Sequence, residues 1–498
     1  MPGPIAAHRL AQLVSIGCVF AAASAQAHGF GQRYDLPIPL SFYLLGAGAT
    51  VALSFVIAAI FLRTPDVPGA DRRLPLLRSG AARRCAHGLA LVMRAAGGAY
   101  FVLMVVAGEF GAQSPLRNII VVSVWIVGWV AISLCSALVG DVWRLVNPWD
   151  TFFRAAERIH AHLRPGRSLS FRWPYPAALD RWPAVLLLVA FAWMELVWAG
   201  RDVPARLAGT MLLYSALTWL GMLAFGRQAW LDRAEVFTIV FGIFARFAPL
   251  ASAQSPGSEL VLRLPGSGLL DLRETSRATM LLVVTLLATV TFDGILDTPL
   301  WARVDIAIID APDDSWLWTI FDLSEAGALR LGRTIGLVAF VMLFSATYLA
   351  ICHAMATAAR GKHGAMIELG RRFVFTLLPI SIAYHIAHYF SYLLNGGQLI
   401  IPLLSDPFGF GWNLLGTASY QPDIGLVGPL LQWSVAVGAI VVGHVIAVYL
   451  AHATALSTFR GRRRAMLSQM PIVILMVCYT MLSLWILSQP IVETNPGG

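Results

Sequence analysis

Residues 380–398 read ISIAYHIAHYFSYLLNGGQ. They form the outer half of a helix expected over Phe373 to Leu394, and the turn that follows it. The stretch is apolar enough to cross a membrane, yet one side of it is polar. At about 100° per residue, Ser381, Tyr384, His385, His388, Tyr392 and Asn395 fall within roughly 100° of one another. Ionisable side chains are costly in a bilayer and seldom face lipid. The stripe therefore points to a protein interior or a wet cavity, and the other spans are expected to pack around it.

Working outward, the totals agree with that reading. The chain has 498 residues, 58% of them hydrophobic and only 13% charged, with a mean hydropathy of +0.70. Long apolar runs recur throughout, which gives an all-α fold: a polytopic transmembrane helical bundle. About ten spans are expected, at 39–62, 86–108, 118–140, 183–200, 205–225, 278–296, 331–358, 373–394, 429–452 and 469–488. The formal net charge of +9 is no nucleic-acid signature, because the basic residues sit in short loops between spans. The five cysteines stand singly, with no CxxC, so neither a disulfide framework nor a cysteine zinc site is expected.

Residues 1–27 read as a cleavable signal peptide ending in Ala25-Gln26-Ala27, with 28–498 as a single transmembrane domain. A mature N-terminus at His28 outside the cytoplasm places most Lys and Arg in cytoplasmic loops, and the C-terminus outside as well. That is the topology of a multi-pass protein of the bacterial inner membrane. Residues 234–250 are apolar but short and carry Arg246. Counting them as a span would move the RGRRR run at 460–464 outside, so an interfacial or re-entrant helix is expected there. A second interfacial helix is expected near 150–163, where Arg154, Arg158 and His162 share a face. External caps are expected at 297–330, with Asp313, Asp314, Trp301, Trp316 and Trp318 at headgroup level, and at 395–428.

Depth singles out the candidate site. At ~1.5 Å per residue, His385 lies ~18 Å up its helix and His388 ~22 Å. His444 and Glu195 lie ~18 Å up theirs, and Asp293 ~22 Å. His385, His388 and His444 with Asp293 make a candidate ligand set for a divalent metal, zinc among the candidates, with one position open for water. Asp293 serves alternatively as general base. Tyr384, Tyr392 and Glu195 are the candidates for holding imidazole tautomers. His353 and His452 form a second layer near the opposite membrane face, either interfacial or the inner stop of an ion path.

Five stretches carry a family resemblance: HGFGQRYDLPIPL at 28–40, GDVWRLVNPWD at 140–150, TFDGILDTPLW at 291–301, YHIAHYFSYLLNGGQ at 384–398 and GHVIAVYLAH at 443–452. Together they resemble the bacterial integral-membrane proteins called fenitrothion hydrolases. The resemblance implies hydrolysis of organophosphorus triesters with release of a nitrophenol, and brings no assigned catalytic residues with it. A neutral, lipophilic substrate and membrane lipids are then the expected partners. The alternatives are an intramembrane metal or ion transporter, or the membrane subunit of a larger complex with a second protein docked on the arginine-rich loops.

Overall fold

The computed structural model describes residues 36–62, 64, 73–252, 260–270, 275–311, 324–359 and 365–489. The expected signal peptide and His28 lie outside the described residues, as do Asp313, Asp314, Trp316 and Trp318.

Among the described residues, nine helices are long and apolar enough to cross a membrane. They are α1 (Leu40–Phe61), α2 (Gly80–Phe110), α3 (Ile119–Leu138), α6 (Pro204–Phe225), α8 (Arg277–Leu296), α10 (Glu325–Ala358), α11 (Met366–Leu394), α13 (Pro429–Thr458) and α14 (Arg462–Ser488). The remaining expected span, 183–200, is the shorter apolar helix α5 (Trp182–Leu196). The chain is thus a multi-pass membrane protein with an all-α fold. Shorter helices lie among them, including α4 (Pro148–Leu163) and α7 (Val236–Phe244), α9 (Pro299–Ile309) and α12 (Ile400–Ser405). A small antiparallel sheet joins β1 (Leu74–Pro75), β2 (Leu250–Ser252) and β3 (Leu260–Leu262) in the order β1-β3-β2.

Local sequence explains where these helices begin. A side-chain oxygen at each N-cap accepts an otherwise orphaned N–H. Asn118 takes that of Ile120 for α3, Asn147 that of Asp150 for α4, and Ser276 that of Thr279 for α8. Glu235 takes two, from Phe237 and Thr238, for α7. Within α3, Ser123–Ala131 is π-helical, a winding that often marks functional positions. In α11, Pro379 has no N–H to give Phe375, and the preceding residues 374–377 tighten into a 3-10 turn.

The bundle has a centre. α8 and α11 are buried over most of their length, whereas little of α2 and α10 is fully buried. α11 packs most closely on α13, and Gly443 explains how. A Cβ there would sit 2.3 Å from Ala383 Cβ and 2.8 Å from the Pro379 carbonyl, so the two backbones meet where a larger residue would hold them apart.

Val236 and Phe241 of α7 are buried with their neighbours, so this apolar helix is covered by protein. Trp301 packs edge-on against Phe292 at 5.2 Å and fills the space over Gly336, where a Cβ would meet it at 2.3 Å. It is therefore turned inward. In α4, Trp149, Asp150 and Phe153 are buried while Leu163 is exposed, so its first turn docks on the bundle. Asp150 fixes that turn through Arg154 at 2.8 Å and Arg227 at 2.6 Å.

Candidate functional site

α5, α8 and α11 bring four polar side chains together inside the bundle. His388 Nε2 lies 2.9 Å from Asp293 Oδ2, and both side chains are only 7% exposed. The Tyr389 hydroxyl donates to the same carboxylate oxygen at 2.9 Å and reaches Glu195 Oε1 at 3.4 Å. A lone carboxylate here would cost many kcal/mol, and two donors on one oxygen offset that cost. With Nε2 bonded to Asp293, His388 is held either as the Nε2–H tautomer or as the imidazolium. That arrangement is an acid–base pair oriented by a carboxylate.

The surroundings are built to admit it. Gly294 follows Asp293, and a Cβ there would lie 2.5 Å from the Tyr384 hydroxyl and 2.7 Å from Ile486 Cγ2. Glycine thus lets Tyr384 pack against the end of α8, with its ring 6.0 Å from that of His388. Arg201 donates to the Glu195 carbonyl at 2.6 Å and closes the end of α5. Asp297 lies one turn beyond Asp293, past the end of the span. Burial, and then the nearby Asp293, push its carboxyl up to about 7.

The other two histidines face elsewhere. His385 Nδ1 donates to the Ser381 carbonyl at 2.9 Å. Its ring sits among Phe244 at 5.2 Å, Tyr389 at 5.7 Å and Trp129 at 5.9 Å. His444 Nδ1 donates to the Ile440 carbonyl at 2.8 Å, with its ring 5.9 Å from Tyr479. Tyr479 in turn shares a 2.5 Å bond with Thr291. Among the described residues, no group of three His, Cys, Asp or Glu side chains is placed to hold a metal ion. The expected set of His385, His388, His444 and Asp293 is therefore not one site: only His388 and Asp293 touch. Each of the other two rings hooks its Nδ1 on its own helix one turn back and aims Nε2 into its own surroundings. The donor set does not fit a four-ligand metal.

Tyr389 is the member that the sequence reading missed. It lies about 40° beyond the edge of the polar stripe, and α11 is buried well beyond that stripe. The lower histidine layer also changes character. His452 bonds Gln469 at 2.9 Å through Nδ1 and the Leu62 carbonyl at 3.1 Å through Nε2, which ties α13 to α14 and to the end of α1.

A cavity of about 520 Å³ has walls that are almost wholly apolar; Glu195, Asp293, His388 and Tyr389 are not among the residues lining it. Met104, Trp129, Phe191, Met194 and Met211 are among the residues lining it. Trp129 also touches the His385 ring, and Met194 is the chain neighbour of Glu195. Its size suits a drug-sized lipophilic molecule. No hydropathy pattern announced it, because a cavity wall and a packed core use the same side chains. No family model, curated protein or solved structure matches the chain.

Proposed function

We propose that this chain is a hydrolase of lipophilic organophosphorus triesters, of which fenitrothion is one, working within the bacterial inner membrane with its mature N-terminus outside. The observation that carries the reading is the buried Asp293–His388 pair, bonded at 2.9 Å; the apolar cavity of about 520 Å³ is the chamber we assign to the substrate. The residue motifs quoted above, which resemble the membrane fenitrothion hydrolases, supply the reaction class. A neutral triester partitions into such a cavity from the lipid. His388 takes a proton from water as the water oxygen attacks phosphorus. The phosphorus–aryloxy bond breaks, and the electron pair leaves with nitrophenolate, which needs little acid assistance. Asp293 stays ionised and steadies the imidazolium, as the carboxylate of a catalytic triad does. Tyr389 keeps Asp293 in place, and Glu195 sits behind Tyr389.

The test is nitrophenolate release by the purified protein in detergent and in proteoliposomes. His388→Ala and Asp293→Asn should each lower kcat by about 10²–10⁴-fold, the usual share of an acid–base group. Leu213→Ala, on an exposed face, should not change it. Full turnover in a folded His388→Ala protein would sink the reading. Metal content measured on the same preparations separates a metal-dependent reaction from a metal-free one.

A second reading has its own observation. His385 Nε2, His444 Nε2, the Tyr384 hydroxyl and Ser381 Oγ are buried and find no hydrogen-bond partner among the described residues. Such atoms usually mark water or an ion, so the same helices would carry protons or cations. Proton flux in liposomes that disappears in Asp293→Asn, with no ester hydrolysis in the wild type, would favour it.

A further inference from the structure

Arg94 is an arginine inside the spanning helix α2, and neither reading of the central cluster uses it. At ~1.5 Å per residue it sits ~24 Å from Phe110, the end of that helix. The hydrocarbon of a bilayer is about 30 Å thick. From that depth a long arginine stem carries its charge out to the headgroups of the far face. Nearby on α2, Leu89, Leu91 and Val92 are exposed, as side chains against lipid are.

Two glycines fix what stands over Arg94. A Cβ on Gly97 would lie 2.3 Å from the Val146 carbonyl, and one on Gly98 would lie 3.5 Å from the Phe152 ring. The chain entering α4 therefore packs directly on α2. Arg94 precedes Gly98 by one turn on the same face, so it meets α4. Arg154, Arg158 and Arg227 repel it, and Asp150 attracts it.

The carboxylates of this region are already engaged. Asp150 pairs with Arg154 at 2.8 Å and with Arg227 at 2.6 Å, and Glu157 pairs with Arg227 at 3.0 Å. Among the described residues, no carboxylate stands within ion-pair distance of Arg94 or Arg158, and Arg94 Nε is buried without a hydrogen-bond partner. A cation in that state at the edge of the apolar layer is costly. An anion with several acceptor oxygens offsets the cost, and guanidinium groups match phosphate oxygens in a two-pronged fashion.

The surroundings have the character of a membrane surface. Ile159 and Leu163, one turn apart on α4, are exposed. Beyond α4, Phe171 and Trp173 stack at 5.5 Å with both side chains exposed. Their N–H groups donate to the carbonyls of Leu223 and Ala224, near the end of α6. Exposed aromatic side chains held at the ends of spans belong at headgroup depth. Arginines beside exposed apolar side chains fit a molecule with both a phosphate and acyl chains, which a soluble phosphate is not. We infer that Arg94, Arg154 and Arg158 form a binding site for the headgroup of an anionic phospholipid, whose chains lie along the exposed side of α2.

Native mass spectrometry of the full-length protein tests it. The protein is released from mixed micelles of neutral detergent with phosphatidylglycerol or with phosphatidylcholine of the same chains. The wild type should retain phosphatidylglycerol in preference. Arg94→Gln/Arg158→Gln should lose about tenfold or more of that preference, since each basic residue at an anionic surface contributes roughly fivefold. Arg158→Gln alone, at an exposed position, should lose about fivefold, and it carries the test should the double variant not fold. Arg94→Lys keeps the charge without the fork and should lose several-fold. Arg463→Gln/Arg464→Gln, at exposed positions on α14, makes the same change in net charge and should lose nothing. An equal loss there would mean that bulk charge recruits the lipid, and would overturn the inference. Equal retention of the two lipids by the wild type, or unchanged retention in the Arg158→Gln variant, would overturn it too. Displacement of phosphatidylglycerol by inorganic phosphate, but not by sodium chloride of equal ionic strength, would assign the site to a soluble anion instead.

Discussion

Gly294 shows how much of the site depends on one missing methyl group. A Cβ at this position would press on the Tyr384 hydroxyl at 2.5 Å and on Ile486 at 2.7 Å. Gly294→Ala should cost about 1–3 kcal/mol, the usual penalty for overpacking. Tyr384→Phe in the same chain should recover part of that loss, with Ile486 keeping the rest. A double-mutant cycle on thermal unfolding measures the coupling, and strict additivity would clear the hydroxyl as the obstacle. Asp297 allows a prediction with a sign. Its folded-state pKa of about 7 stands above the ordinary 3.8. Between about pH 4 and 7 the unfolded chain therefore ionises this group while the folded one resists, and stability falls as pH rises through that window. Asp297→Asn removes the burden. Its melting temperature should match the wild type at pH 4 and exceed it by about 2–5 °C at pH 8. Equal melting at pH 8 would mean that the carboxyl is hydrated.

Among the elements, α11 was the most legible. Its length, apolar character and buried polar side chains could all be read from the sequence, because a membrane span must be apolar and an ionisable side chain within it must face protein. Its partners could not be read so well. Depth along a helix is one coordinate, and contact needs three. Glu195, Asp293 and His388 share a depth and are joined through Tyr389. His385 and His444 share it too, yet point into different surroundings. Whether lipid or protein covers the short helix α7 was not legible, because nine apolar residues look alike in either setting. The apolar character of α5 is plain in the sequence, but its 15 residues fall short of the expected 183–200. The close crossing of α11 and α13 was invisible until Gly443 met Ala383 and Pro379. Gly443→Leu should drive that crossing apart and lower stability by several kcal/mol, since the Ala383 Cβ and a backbone carbonyl cannot both move aside. Detergent-resistant unfolding curves would show it, and unchanged melting would mean that the helices slide freely.

At the scale of the whole molecule, the polar cluster and the apolar cavity matter only if they act together. The hydrolase reading needs them joined, because a triester held in lipid-like surroundings must still present its phosphorus to an acid–base pair. The proton-path reading needs only the cluster, since protons have no use for a chamber lined by methionine and aromatic rings. Filling the cavity therefore separates the two. Met104 and Met211 line it from α2 and α6, and neither contributes to the Asp293–His388 bond. Met211→Trp would occupy a good part of the 520 Å³ with a side chain that the apolar walls accept. If the cavity is the substrate chamber, KM for fenitrothion should rise about tenfold or more while kcat changes little, because the base and its carboxylate are untouched. Smaller triesters should lose less than larger ones. A kcat that collapses at constant KM would place the damage at the cluster instead. Unaltered kinetics in a folded Met211→Trp protein would mean that the substrate reaches Asp293 and His388 by another route, and that the cavity belongs to a different molecule's binding.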